Sequence, residues 1–146
     1  MKAIVTGGAG FIGSHLVDLL LKENINVTVL DNFSTGRPEN LDHVREQIKL
    51  VECDLSVKGD WIQHFSNGDW VFHLAALADI VPSIQQPEAY FRANVDGTFN
   101  VLQAAKAAEV KRFIYIASSS CYGLAETPTK EDHPISPQYP YALSKY

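Results

Sequence analysis

Five short apolar runs punctuate the chain, and each gives way to polar or small residues. Ala3-Ile4-Val5 leads into Thr6 and a cluster of glycines, Val27 to Leu30 into Asp31-Asn32, and Ile48 to Val51 toward Asp54. Trp70 to His73 ends at Leu74-Ala75-Ala76, and Phe113 to Ala117 ends at Ser118, Ser119 and Ser120. Runs that are continuously apolar mark strands buried on both faces. Between the first two, Phe11 to Lys22 carries Ile12, Leu16, Leu19 and Leu20 at helical spacing, closed by Lys22-Glu23. Between the last two, Pro87 to Ala108 predicts one long helix with Phe91, Val95, Phe99, Leu102 and Ala105 along one side. Asn32 to Asp42 is a polar loop leading to a short helix, and the prolines between Thr127 and Tyr141 make that segment a meandering loop. Strands alternating with helices predict a parallel sheet, and right-handed crossovers make it a doubly wound α/β fold.

Composition narrows the setting. A chain of 146 residues has the size of one domain, and 46% hydrophobic with 20% charged residues is the balance of a folded core. The net charge of -5 opposes binding to nucleic acid or an anionic membrane surface. No stretch reaches the roughly 18 apolar residues of a membrane span. Thr6, the glycines, Ser14, His15 and Asp18 interrupt any secretory leader. Cys53 and Cys121 have neither redox nor zinc spacing, and His15, His43, His64 and His133 lack ligand spacing, so no metal site is expected. His73, closing an apolar strand, reads as a core histidine. A cytoplasmic protein is the expectation.

Gly7-Gly8-Ala9-Gly10-Phe11-Ile12-Gly13 follows the first strand and opens the first helix. Glycines there let the backbone approach a pyrophosphate, whose charge meets the amides of a helix N-terminus. Asp31, about 18 residues after Gly13 at the end of the second strand, suits the ribose hydroxyls of NAD and repels a 2′-phosphate. Arg37 is the only nearby cation that argues for NADP, and it lies deep in the loop. These signals predict a Rossmann NAD-binding domain.

Tyr141-Ala-Leu-Ser-Lys145 sets a phenol and an ammonium four residues apart on one helix face. Making a phenol a useful base near neutral pH means lowering its pKa by about 3 units, which takes about 4 kcal/mol of preferential phenolate stabilisation. A lysine and an oriented nicotinamide are suited to provide it. The spacing alone is common on surface helices. Its weight comes from Ser118 at the carboxyl end of the fifth strand, where open α/β sheets bind ligands. Ser119 and Ser120 compete with Ser118 for the hydroxyl role. Tyr139 competes with Tyr141, but only Tyr141 has a lysine four residues on.

The chain resembles the extended short-chain dehydrogenase/reductases, specifically the NAD-dependent nucleotide-sugar epimerase/dehydratase family, and is most similar to its UDP-glucose 4-epimerase members. The resemblance lies in VTGGAGFIG from Val5, LDNFSTG from Leu30, CDL from Cys53, HLAA from His73, NVDGTFNVLQAA from Asn94, ASSSCYG from Ala117 and YPYALSK from Tyr139. It implies that Gly7, Gly10, Phe11, Ile12 and Gly13 hold the pyrophosphate, and Asp31, Asn32, Ser34, Thr35 and Gly36 the adenosine ribose and its surroundings. Asp54 and Leu55 would meet the adenine edge, Leu74, Ala75 and Ala76 would line the cofactor, and Asn94 would support the active-site end. Ser118, Tyr141 and Lys145 would form the catalytic triad, with Tyr141 and Lys145 also touching NAD.

The implied reaction oxidises a sugar C4 hydroxyl and returns the hydride to the opposite face. Relatives that dehydrate or decarboxylate carry an acid two residues past the triad hydroxyl, and here that position is Ser120. Ala78 stands where some epimerases have lysine. The alternatives are another nucleotide-sugar enzyme of the family (dehydratase, decarboxylase or reductase) and a non-catalytic NAD(P)-binding regulator. The family implies a homodimer and a chain about twice as long. The expectation is therefore an incomplete Rossmann domain over 1–146, cut within the catalytic helix, lacking its last strands and substrate domain, and inactive alone.

Overall fold

A computed structural model describes residues 1–146. Five parallel strands, β1 (Lys2–Thr6), β2 (Asn26–Asp31), β3 (Ile48–Glu52), β4 (Trp70–His73) and β5 (Arg112–Tyr115), form one sheet in the order β3-β2-β1-β4-β5. Successive side chains of a strand point to opposite faces. Ala3 and Val5 of β1 join Val27 and Val29 against Val17, Leu20, Leu41 and Val44 on one side. Ile4, Leu30 and Val71 meet Trp61, Phe65, Val101 and Ala104 on the other. The sheet is covered on both faces, as continuous apolar strands require. No helix is long and apolar enough to cross a membrane.

Helix α1 spans Phe11–Lys22, as its periodicity predicts, but the face differs from expectation. Gly13, Ser14, Val17 and Leu20 are buried, while Ile12 and Leu19 are exposed. The reason is distance: a Cβ on Gly13 would sit only 2.7 Å from the Gly8 Cα, so small residues set how closely this helix approaches the turn.

The long helix expected over 87–108 is divided into α3 (Pro87–Phe91), a π-helical turn over Arg92–Asp96, and α4 (Gly97–Ala107). Its buried side is Tyr90, Asn94, Gly97, Asn100, Val101, Ala104 and Ala105. Of the expected apolar side only Ala105 is buried, and Phe91, Phe99 and Leu102 are exposed. Asn100 explains part of this, since its Nδ2 donates to the carbonyls of Leu55 (3.0 Å) and Ser56 (3.1 Å) and draws its own face inward. A short helix, α2 (Ile80–Gln85), and 3-10 runs over Pro38–Gln47 and Asp60–Phe65 complete the connections. β5 ends two residues before Ala117, and the last helix, α5, is Pro140–Lys145.

His73 is 1% exposed and lies in a chain of hydrogen bonds. Its Nδ1 lies 2.6 Å from the Thr6 hydroxyl and its Nε2 2.8 Å from the Thr98 hydroxyl. Thr98 Oγ1 donates to the Asn94 carbonyl at 2.6 Å, so it accepts from His73. The imidazole therefore carries its proton on Nε2 and accepts from Thr6 at Nδ1. Burial, with the nearby Lys145 cation, pushes its pKa from 6.5 down to about 4. The unfolded chain takes up this proton below 6.5 and the folded one only near 4, so stability present above 6.5 is lost across that window. The loss from this one group is about 3 kcal/mol. Denaturant titrations from pH 7 to 4 should show it, and the His73→Gln variant should lack that share of the slope. Identical slopes in both would refute the assignment.

Candidate active site

The strand order reverses beside β1, and a cleft of about 370 Å³ opens at the carboxyl ends of β1, β2 and β4. Gly7, Gly10, Phe11, Ile12 and Gly13 form its floor at the start of α1. Asp31, Asn32, Ser34, Thr35 and Gly36 form the side beyond β2, and Asp54 with Leu55 the side beyond β3. Leu74, Ala75 and Ala76 leave β4 along the opposite wall. Each of these residues was singled out from sequence. Gly7 has φ +70°, and a Cβ there would lie 2.6 Å from the Ala75 amide nitrogen, which binds the glycine turn to that wall.

The first-turn amides of a helix have no acceptor within the helix, and no side chain caps α1. They present partial positive charge to the cleft floor. Asp31, 7% exposed, accepts from the Ala9 amide at 2.9 Å through Oδ2 and from the Phe33 amide at 2.8 Å through Oδ1. A carboxylate has about four acceptor sites, so two remain for ligand hydroxyls. Anion-binding amides at one point and a fixed carboxylate at another fit the pyrophosphate and ribose of a dinucleotide.

Asn94 does not line the cleft. It is buried behind it, with Oδ1 accepting from the Leu77 amide (2.7 Å) and Nδ2 donating to the Leu77 carbonyl (3.0 Å) and the Ser144 hydroxyl (2.9 Å). One amide thus fixes the wall that leaves β4 and also anchors α5. Leu77 itself lines the cleft, as do Cys53, Ser56, Ala78, Ala93 and Ile116, none of which was assigned to the cofactor from sequence. Leu77, Ala78 and Ser56 adjoin segments already identified, so contiguity was a usable signal. Ala93 and Ile116 arrive through the π turn and the early end of β5, which leave no local trace. Burial pushes the Cys53 thiol up to about 11, with Asp31 and Asp54 adding to the effect, so it is no nucleophile.

Ser118 caps the 3-10 turn Ser119–Tyr122, its Oγ accepting from the Ser120 amide at 3.2 Å. Helix α5 packs on this turn, and the Cys121 thiol lies 3.6 Å from the Ala142 carbonyl. Tyr141 meets Tyr90 edge-on with centroids 6.4 Å apart, and the Tyr90 hydroxyl donates to the carbonyl of Ala78 at the cleft wall. Tyr139 lies instead on a separate groove with Phe91, Pro137 and Leu143. Lys145 is 7% exposed, with Nζ 4.4 Å from the centroid of the Tyr115 ring. The Tyr115 hydroxyl in turn donates to the Lys145 carbonyl at 3.0 Å. Burial lowers the Lys145 pKa from its ordinary 10.5, with the nearby Cys121 acting in the opposite direction. Ser118 lies at the turn after β5 and Tyr141 and Lys145 on the helix packed against it; none of the three lines the cleft, and no hydrogen bond joins them directly.

Residues 3–146 match the model of the NAD dependent epimerase/dehydratase family. The chain belongs to that family. It is 37% identical over 146 residues to a putative UDP-glucose 4-epimerase of Methanocaldococcus jannaschii, covering 98% of this chain and 47% of that protein. Among solved structures, the UDP-N-acetylglucosamine 4-epimerase of Methanobrevibacter ruminantium superposes with a TM-score of 0.92 at 38% identity, over 99% of this chain and 46% of that one. A dTDP-glucose 4,6-dehydratase from Streptomyces venezuelae, solved with NAD bound, gives 0.93 at 34% identity, over 99% and 48%. The chain thus spans about half the length of the relatives it matches, and epimerases and dehydratases of the family share its fold.

Proposed function

We propose that these residues form the NAD-binding part of a nucleotide-sugar 4-epimerase of the UDP-glucose type. The observation that carries the reading is the packing of the Tyr141 helix on the Ser118 turn, beside a cleft suited to a dinucleotide. Bound NAD would supply the hydride acceptor and donor for the sugar C4. The α1 amides would bind its pyrophosphate, Asp31 and Asn32 its ribose, with Ser34, Thr35 and Gly36 on that rim, and Asp54 with Leu55 its adenine edge. Asn94 acts from behind the wall.

Ser118 Oγ already accepts from Ser120, which leaves its proton to donate to a substrate oxygen. Tyr141 as phenolate would take the proton of the sugar 4-hydroxyl, with Ser118 bridging the two groups. Lys145 would stabilise the phenolate and hold the nicotinamide ribose. Its anchoring through Tyr115 and the link from Ser144 to Asn94 fix the helix that carries both groups. Ser119 and Ser120 follow Ser118 with no acid among them, which favours epimerisation over dehydration or decarboxylation.

The exposed Phe91, Phe99, Leu102 and Leu143 support a homodimer of the whole protein through α3, α4 and α5, and the reading includes a cytoplasmic setting. The full-length protein is expected to interconvert UDP-galactose and UDP-glucose with no net consumption of NAD. A 4-keto-6-deoxy product would redirect it to the dehydratases. Tight NAD binding without any sugar-dependent reduction would instead identify a non-catalytic regulator.

A further inference from the structure

The Ala9-Gly10 peptide is the pivot of the glycine turn. Gly10 lines the cleft, whereas Ala9 is fully buried and does not. Ala9 is gripped at both ends. Its amide donates to Asp31 Oδ2 at 2.9 Å, and its carbonyl accepts from the Arg37 amide at 3.0 Å and from Asn40 Nδ2 at 2.8 Å. Asn40 is half-buried and is not among the residues that line the cleft. Its backbone is fixed by its own amide donating to the Arg37 carbonyl at 3.0 Å and by Leu41, which follows it into the core with 0% exposure.

A carbonyl dipole facing a pyrophosphate repels it, while the α1 amides attract it. Two donors, from Arg37 and Asn40, hold the Ala9 oxygen, and neither residue lines the cleft. In a trans peptide this leaves the Gly10 N–H on the opposite side, where it donates to the Gly7 carbonyl at 3.2 Å. We infer that Asn40 is a positioning residue for pyrophosphate binding, acting through the Ala9 carbonyl without touching the ligand. The inference rests on the dinucleotide reading of the cleft and deepens it. It gives a role to Asn40, to which the sequence assigned none.

The test compares the protein with its Asn40→Leu variant, which keeps the side chain's size and removes the donor. Dissociation constants are measured by calorimetry for NAD, ADP and adenosine. NAD and ADP should bind about tenfold more weakly to the variant, as loss of one such hydrogen bond implies. Adenosine, which lacks the pyrophosphate, should bind equally to both. Hydrogen exchange gives a second readout without ligand: the Ala9 and Gly10 amides should exchange faster in the variant, and those of β1 should not. Equal NAD affinity in the two proteins overturns the role of Asn40 alone. A uniform loss for all three ligands, or exchange raised throughout, reduces Asn40 to a packing residue and also overturns it. Failure of the unaltered protein to bind NAD overturns the dinucleotide reading and this inference with it.

Discussion

Replacing Gly13 with alanine is expected to cost about 3 kcal/mol of folding stability and at least about thirtyfold in NAD affinity. In an isolated helix the same change is favourable by about 1 kcal/mol, because alanine has the higher helix propensity. Here the new Cβ would collide with the Gly7 carbonyl and come within 2.7 Å of the Gly8 Cα. These are backbone atoms of the ligand-binding turn, so relief requires moving that turn or lifting α1 off it. Gly10→Ala is the control, since its Cβ meets only the Gly7 carbonyl, at 3.3 Å, and should cost under about 1 kcal/mol. Denaturant melts and NAD titrations of both variants check the pair. A stabilised Gly13→Ala protein would show that helix propensity outweighs the contact.

Tyr141→Phe should lower turnover of the full-length protein by about a hundredfold to ten-thousandfold, the usual contribution of a general acid or base. NAD affinity should stay within about twofold, because the ring and its edge contact with Tyr90 remain. Tyr139→Phe should leave turnover nearly unchanged, since Tyr139 lies on the groove away from the cleft. Steady-state rates and NAD titrations decide between them. Full activity in Tyr141→Phe, or a comparable loss in Tyr139→Phe, would remove Tyr141 from its assigned role.

The strands were legible because a sheet covered on both faces needs continuous apolar runs, and few other structures tolerate them. The glycine turn and Asp31 were legible because their spacing is imposed by one strand, one turn and one helix in succession. Helix faces were harder to read. Along α1 and α4 the buried sides combine Val17, Leu20, Val101 and Ala105 with Gly13, Ser14, Gly97, Asn100 and Ala104, residues suited to close approach or hydrogen bonding. Large apolar residues such as Leu19 and Phe99 face outward. Hydrophobicity alone therefore found Leu20 and Ala105 but misplaced Leu19, Phe99 and Leu102. Tyr115, which holds α5 through the Lys145 carbonyl, is 30 residues away in sequence and meets it only after folding, so no local pattern reveals it.

In the proposed function Asp31 is both a strut and a recognition group, since the carboxylate suited to ligand hydroxyls also fastens the Ala9 amide and the Phe33 amide. This places a constraint on how such a protein can diverge. A change of nucleotide preference toward a 2′-phosphate must remove the negative charge at this position, yet any side chain without two acceptors there releases the turn and the following loop together. Evolution or design must then supply a new brace before discarding the old one. Cofactor choice in this chain is thus inherited along with the architecture of its phosphate turn.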